Sequence, residues 1–159
     1  MLTLINHDAI LDLVSLRNKY DYCFNAICHI PNFNQKLKIM NKLKDFKFKI
    51  PNLIASNAFV SRSSTVGEVT SIGHGVIVNS NAIIGENSII KTKSLIEHDD
   101  LIGDFCHVST GVLINGCVFL GNYSFIGSGS ILRDCISIPE NTVIWSGIRV
   151  MSLPIIKYK

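Results

Sequence analysis

One column of this sequence constrains the fold more than any other feature. Stepping by six from Ile54 reaches Val60, Val66, Ile72, Val78, Ile84, Ile90, Ile96, Ile102, Val108, Ile114, Leu120, Ile126, Leu132, Ile138, Ile144 and Val150, and all seventeen positions are Ile, Leu or Val. The neighbouring columns are as ordered. One place after the aliphatic, glycine recurs (Gly67, Gly73, Gly85, Gly103, Gly121, Gly127). Two places after it, every residue from Ser56 to Ser152 is polar or Gly, and four places after it small or β-branched residues dominate from Ala58 to Ser94. A six-residue unit of this kind has room for a short strand and one corner. It cannot bury its aliphatic residue alone, so successive units have to coil and stack. No hexad is interrupted, which predicts a shaft without long excursions.

The pattern resembles the hexapeptide repeat of left-handed parallel β-helices. The resemblance supplies what the periodicity does not: three hexads to a triangular coil, a left-handed turn, and the periodic aliphatic pointing into the prism. It covers residues 54–155, about two-thirds of the chain, and implies between five and six coils. The expected fold is mostly β, with a left-handed parallel β-helix of hexapeptide repeats over residues 53–159. A small α/β domain of truncated Rossmann-like kind is expected over residues 1–52. There "DAILDLVSLRNKY" reads as a helix with Asp8 as N-cap, and "YDYCFNAICHI" reads as a strand. "NFNQKLKIMNKLKDF" places Phe33, Leu37 and Met40 at helical spacing, and "FKFKIPNLI" alternates until Pro51 breaks it. Such a unit would cover the first coil, whose end is otherwise an exposed sheet edge.

Strand side chains alternate, so the residue before each periodic aliphatic should face outward. From 77 to 131 that column reads Ile77, Ile83, Ile89, Leu95, Leu101, His107, Leu113, Phe119, Phe125, Ile131. Nine large apolar groups at one repeat phase exceed what a soluble monomer normally exposes. Another prism is expected to cover them. In proteins of the resembling class three parallel prisms associate, so a homotrimer is expected.

Composition excludes several alternatives. No apolar run approaches the ~20 residues of a membrane span, and "MLTLINHDAILDL" lacks the basic start and cleavage site of a signal peptide. Five cysteines (Cys23, Cys28, Cys106, Cys117, Cys135) form an odd set without CxxC spacing. That favours reduced thiols in the cytoplasm over disulfides or a zinc site, and no metal is expected. The net charge of +3 is uneven: residues 1–52 hold eight Lys/Arg against four Asp, and residues 53–159 hold seven against eight Asp/Glu. Six lysines within 36–49 read as the solvated face of an amphipathic helix, with a nearby phosphate-bearing ligand as the other reading. Nucleic acid is not expected, because aromatic residues do not interleave with the basic ones.

The segment "IEHDDLIGDFCHVSTG", residues 96–111, departs from a purely architectural repeat. His98 falls in the polar corner column, and Asp99 beside it can fix the imidazole tautomer and stabilise the protonated ring. That is the base-and-orienter arrangement of general base catalysis. Gly116 stands one coil later, where a ligand can approach the backbone and its N–H can hold a developing oxyanion. His107 is the polar residue of the outward apolar row.

The longer stretch "SLIEHDDLIGDFCHVSTGVLINGCVFLGNYSFIGSGSIL" resembles bacterial sugar acetyltransferases of the sialic acid O-acetyltransferase and UDP-4-amino-sugar N-acetyltransferase type. Their core reads like EHD, then IGDF-HVS-G, then G-V-LG. The resemblance implies His98 as general base, Asp99 as its partner, and His107 as a residue that positions the acyl donor. It implies that the Gly116 amide contacts the thioester oxygen and that acetyl-CoA lies in the groove between prisms. The implied activity is acetyl transfer from acetyl-CoA to a sugar, nucleotide-linked amino sugars ahead of O-acetylated sialic acids, in lipopolysaccharide or capsule biosynthesis. Two family features are absent from the chain: the Gly-rich nucleotide-holding strand-turn, without which the sequence reads as starting partway into that domain, and a G-x-P-A-K-like tail. Arg133, Arg149, Lys157 and Lys159 are then the candidates for the coenzyme's phosphates. A zinc carbonic anhydrase of the same fold needs three convergent histidines, and the prism's three (His74, His98, His107) lack a close pair. The non-enzymatic alternative is a catalytically inactive trimeric scaffold paralogue. Because His98 and His107 are half a coil apart, they are expected to meet in one site only across two chains.

Overall fold

The computed structural model describes residues 13–24 and 33–152. The chain divides into two compact units, Met1–Pro51 and Asn52–Lys159. In the first, helix α1 (Leu13–Lys19) and helix α2 (Phe33–Asp45) accompany a parallel bridge between Tyr22 and Lys49. Leu13, Leu43 and Phe48 form its core, with Leu16, Cys23, Ile39, Phe46 and Ile50 packed against them. Met40 and Leu43 are buried on α2 while Lys38, Lys42 and Lys44 are exposed, so those lysines form a solvated face. The helix expected from Asp8 is described only from Leu13, and most of the strand expected at "YDYCFNAICHI" lies outside the described residues.

The second unit is a parallel β-solenoid of the left-handed β-helix class. Seventeen two-residue strands run from β1 (Leu53–Ile54) to β17 (Arg149–Val150), one per hexad. Every third strand joins the same sheet, giving three sheets of six, six and five strands. Partners are in register 18 residues apart: Leu53 pairs with Ser71, Phe59 with Ile77, Thr65 with Ile83. The shaft therefore has just short of six coils. From Ile72 to Val150 the periodic aliphatics form one buried column, and each fully buried Ile or Leu contributes roughly 1.5–3 kcal/mol of apolar transfer.

Corners follow from the other columns. A Cβ on Gly103 would stand 2.7 Å from the backbone nitrogen of Asn122 on the next coil. Only glycine lets successive coils come that close there. Inward-facing hydroxyls satisfy the corner backbone. Thr70 Oγ1 donates to the Gly85 carbonyl at 2.8 Å and accepts from Ser88 N–H at 3.1 Å. Ser88 Oγ repeats the pattern with Gly103 and Cys106, each at 3.0 Å. A small hydroxyl in this column thus both gives and takes one hydrogen bond.

The outward residues largely stand where alternation places them. Ile77, Ile83, Leu101, Leu113 and Phe119 are 37–47% exposed, and Ile89, Leu95, Phe125 and Ile131 are half-buried. His107 departs from the row, being only 5% exposed.

Candidate active site

His98 and Asp99 lie in the corner joining β8 (Leu95–Ile96, second sheet) to β9 (Leu101–Ile102, third sheet). Asp99 adopts φ +60, the left-handed conformation that Asp and Asn tolerate best after Gly. Its Oδ2 lies 2.8 Å from His98 Nδ1, and its Oδ1 accepts from Asn81 Nδ2 at 3.1 Å, one coil below. Glu97 Oε2, held by Asn79 Nδ2 at 2.9 Å, accepts from His98 N–H at 3.3 Å. The carboxylate beside it raises the His98 pKa above the ordinary imidazole value, first through that hydrogen bond and then through charge. The same bond, followed by the one from Asn81, lowers the Asp99 pKa. Both side chains are about half exposed, so a substrate can reach them. With Nδ1–H donated to Asp99, the lone pair sits on Nε2.

Gly116 lies one coil beyond His98 and takes on a second meaning. A Cβ there would stand 2.7 Å from His98 Nε2 and 2.8 Å from Cε1, so the imidazole lies across the space a side chain would fill. Among the described residues the flanking amides of Asn115 and Cys117 donate to Leu132 O and His98 O, and Gly116 N–H has no backbone acceptor. The basic nitrogen therefore lies over Gly116, whose N–H takes part in no backbone hydrogen bond among the described residues.

Arg133 occupies the same corner two coils beyond Glu97. Its Nε is 3.8 Å from Asp134 Oδ1, and its NH1 donates to Met151 O at 3.3 Å. Arg149 is exposed on β17 in the second sheet. Lys157 and Lys159 lie outside the described residues. His107 is not with His98. It begins β10 (His107–Val108) in the first sheet, the face opposite the His98 corner, where its partners in register are Ile89 and Phe125. The Phe125 ring meets its edge at 5.2 Å and 66°.

Three residues at this corner escaped the sequence reading. Asp100 sits in the inward column otherwise held by small hydroxyls, aliphatics and Cys106, and it is fully buried. Its Oδ1 accepts from Val118 N–H at 2.8 Å, whereas its buried Oδ2 has no hydrogen bond of good geometry. Burial pushes its carboxyl up to about 7, against the lowering effect of that amide. Cys117 and Cys135 follow Asp99 at successive coils, both exposed and both at positive φ. Partial desolvation, followed by the neighbouring Cys135 thiol and the nearby carboxylates, raises the Cys117 pKa. Stepping by 18 from Asp99 would have found both cysteines. A search along the chain for CxxC does not.

No family model and no curated protein matches the chain. Solved structures do. PerB from Caulobacter crescentus in complex with CoA and GDP-perosamine is 30% identical with a TM-score of 0.82, over 89% of this chain and 67% of that one. A histidine-to-alanine variant of GDP-perosamine N-acetyltransferase from the same organism, also with CoA and GDP-perosamine, is 29% identical with a TM-score of 0.82, over 89% and 66%. The acetyltransferase domain of PglB from Neisseria gonorrhoeae in complex with acetyl coenzyme A shares the fold, with a TM-score of 0.78 at 24% identity, over 89% and 69%. The chain spans 66% to 69% of the length of these solved structures, and 60% of another structure of the PglB acetyltransferase domain. The uninterrupted hexad column, the three-sheet prism and the likeness to PerB lead to one conclusion: the chain belongs to the hexapeptide-repeat, left-handed β-helix family of sugar acetyltransferases.

Proposed function

We propose that the protein transfers an acetyl group from acetyl-CoA to the amino group of a nucleotide-linked sugar, in bacterial surface-glycan biosynthesis. The observation that carries this reading is the 2.8 Å contact between His98 Nδ1 and Asp99 Oδ2 with the ring lying over Gly116. The acceptor amine attacks the thioester carbonyl and must lose a proton as it does so. His98 Nε2 takes that proton, and Asp99 stabilises the imidazolium that results. The carbonyl oxygen gains charge at the same moment, and the Gly116 N–H is the donor we assign to it. Collapse of the tetrahedral adduct expels the coenzyme thiolate, which takes up the proton. The solved relatives with CoA and GDP-perosamine support both substrate classes.

The same reading makes the protein a cytoplasmic homotrimer. Ile77 and Leu113 on the second sheet, with Ile83, Leu101 and Phe119 on the third, expose apolar side chains on the two faces that flank the His98 corner. A neighbouring prism laid there would cover both stripes and bury the corner in a groove. Arg133, two coils or about 10 Å along that groove, is the candidate for the coenzyme's phosphates, with Arg149 beyond it. His107 is assigned to positioning the acyl donor of a neighbouring protomer, since its own His98 lies across the prism.

The deciding experiment measures free-thiol release from acetyl-CoA with a panel of nucleotide-linked amino sugars and sialic acids, alongside calorimetry with acetyl-CoA alone. Thiol release with an amino sugar is the expected result. Release with sialic acids alone would make the enzyme an O-acetyltransferase. No binding of acetyl-CoA would overturn the reading in favour of a scaffold.

A further inference from the structure

Apart from its place in the proposed reaction, the His98 corner holds a set of donor atoms that no acetyl transfer requires. A nitrogen of His98, a carboxylate oxygen of Asp99 and Sγ of Cys117 all lie within 4.8 Å of one another. Cys135 stands one coil further along the same column, exposed and outside this cluster of three. The solenoid register produces this convergence, because residues 18 apart are neighbours on adjacent strands about 4.8 Å apart. Asn81 holds the other oxygen of Asp99 at 3.1 Å, which leaves Oδ2 turned toward the imidazole. The four groups are exposed, so an ion can enter from solvent. The His98 and Cys117 coils have no Lys or Arg at this corner, residues 97–100 reading Glu, His, Asp, Asp and 115–118 reading Asn, Gly, Cys, Val, while the Cys135 coil carries Arg133, whose Nε stands 3.8 Å from Asp134 Oδ1.

We propose that this corner is a binding site for a thiophilic divalent cation of the zinc class, with His98, Asp99 and Cys117 as ligands and Cys135 closing the fourth position. Ligands of a tetrahedral zinc ion, at bonds of about 2.0–2.3 Å, are separated by roughly 3.3–3.8 Å. The three clustered groups, within 4.8 Å of one another, would have to close by up to about 1.5 Å, and Cys135 would have to swing toward them. Two thiols, an imidazole and one carboxylate suit zinc and disfavour magnesium or calcium, which take oxygen ligands. Binding releases the thiol protons to solvent, and the Asn81 amide acts as the outer partner that orients the ligating carboxylate. An ion there takes the imidazole lone pair or its orienting carboxylate. Metal occupancy and general base catalysis by His98 therefore exclude each other, so the cation is an inhibitor. The inhibitory consequence rests on the acetyl-transfer reading; the site itself does not.

The test uses the whole chain, reduced and freed of metal with a chelator, titrated with cobalt(II) and then with zinc. One cobalt ion per chain is expected, with thiolate-to-metal charge-transfer bands and the intense visible bands of tetrahedral cobalt, displaced by stoichiometric zinc. Cys117→Ser should at least halve the charge-transfer band and weaken binding tenfold or more, Cys135→Ser should weaken binding at least tenfold, and Cys23→Ser should change nothing. A wild-type protein without thiolate charge transfer, or a spectrum unchanged by Cys117→Ser, overturns the proposal. Should a variant misfold, the wild-type protein still decides: zinc must protect Cys117 from maleimide, mapped by mass spectrometry, and equal labelling with and without zinc overturns the site. Where acetyl transfer is measurable, zinc should suppress it reversibly in the wild type and much less in Cys135→Ser. A cobalt spectrum without any acetyl transfer would refute the enzymatic reading and leave the site standing. Acetyl transfer indifferent to bound zinc would refute the exclusion proposed here.

Discussion

Replacing Asp100 by serine should stabilise the protein, and by an amount that grows with pH. Asp100 is fully buried, and burial raises its carboxyl from 3.8 to about 7. A carboxyl whose folded value lies above its unfolded value favours folding below the unfolded value, and that advantage is lost as pH rises through the folded one. At 1.36 kcal/mol per unit, ionisation would cost about 4 kcal/mol once pH is well above 7, and under 2 kcal/mol at pH 5. The wild type should therefore lose roughly 2–3 kcal/mol between about pH 5 and 8 from this residue alone. Serine removes the charge and fits the column, because Ser88 in the equivalent place accepts from Cys106 N–H and donates to Gly103 O. At Asp100 the corresponding partners are Val118 N–H and the Asn115 carbonyl. At roughly 2–4 °C per kcal/mol for a chain of this size, the gap in Tm between Asp100→Ser and wild type should widen by about 5–10 °C from pH 5 to 8. Melting curves of both proteins at matched chain concentration would measure it. A gap that stays constant across that range would refute the claim that a buried carboxyl titrates there.

His98→Ala should lower kcat by ~10²–10⁴ with the melting temperature unchanged, as steady-state thiol release would report. Asp99→Asn should cost less and should move the acidic limb of the kcat/KM profile downward, because the hydrogen bond that raises the His98 pKa is weakened. Gly116→Ala should impair turnover nearly as much as loss of His98, since the new methyl would contact the imidazole at 2.7 Å; a near-wild-type rate would remove Gly116 from the site. Leu113→Glu and Phe119→Glu should yield monomers or aggregates by light scattering, whereas the wild type runs as a trimer at micromolar concentration. Inactive His98→Ala and His107→Ala subunits, dissociated and reassembled together, should recover part of the activity. Failure of the mixture would place both histidines within one chain's site.

The fold was legible because the hexad column ties sequence spacing directly to geometry. Ile54 to Val150 at intervals of six became seventeen strands without exception, and the glycine column marked corners where coils touch. Helix α2 was legible for the same reason, with Met40 buried and Lys42 exposed. The corner chemistry was legible only in part. His98 and Asp99 are adjacent in the chain, so their pairing needed no tertiary information. Asp100 carried no assignment in the sequence, although its column, the one that holds Thr70 and Ser88, places it inward. His107 shows the opposite error: its column phase points outward, yet the side chain is 5% exposed. Alternation fixes a direction along the strand normal and says nothing about what lies over that strand. Cys117 and Cys135 needed the coil length, which periodicity six alone does not supply.

The overlap of the His98 ring with the space above Gly116 has a consequence for how this protein can change. Residues 98 and 116 are distant in the chain and adjacent in the prism, so neither can be altered freely without regard to the other. A small residue at 98 would release 116 from being glycine, and a bulky residue at 116 would be tolerated only after the imidazole had gone. The same holds along each corner, where Asp99 is held by Asn81 one coil below. Compensating substitutions should accordingly be found one coil apart, with the hydrogen-bonded pair His98 and Asp99 as the exception between consecutive residues. For a tolerance map, the natural unit is the vertical file of residues 18 apart, and a library that randomises a contiguous peptide would sample mostly independent files.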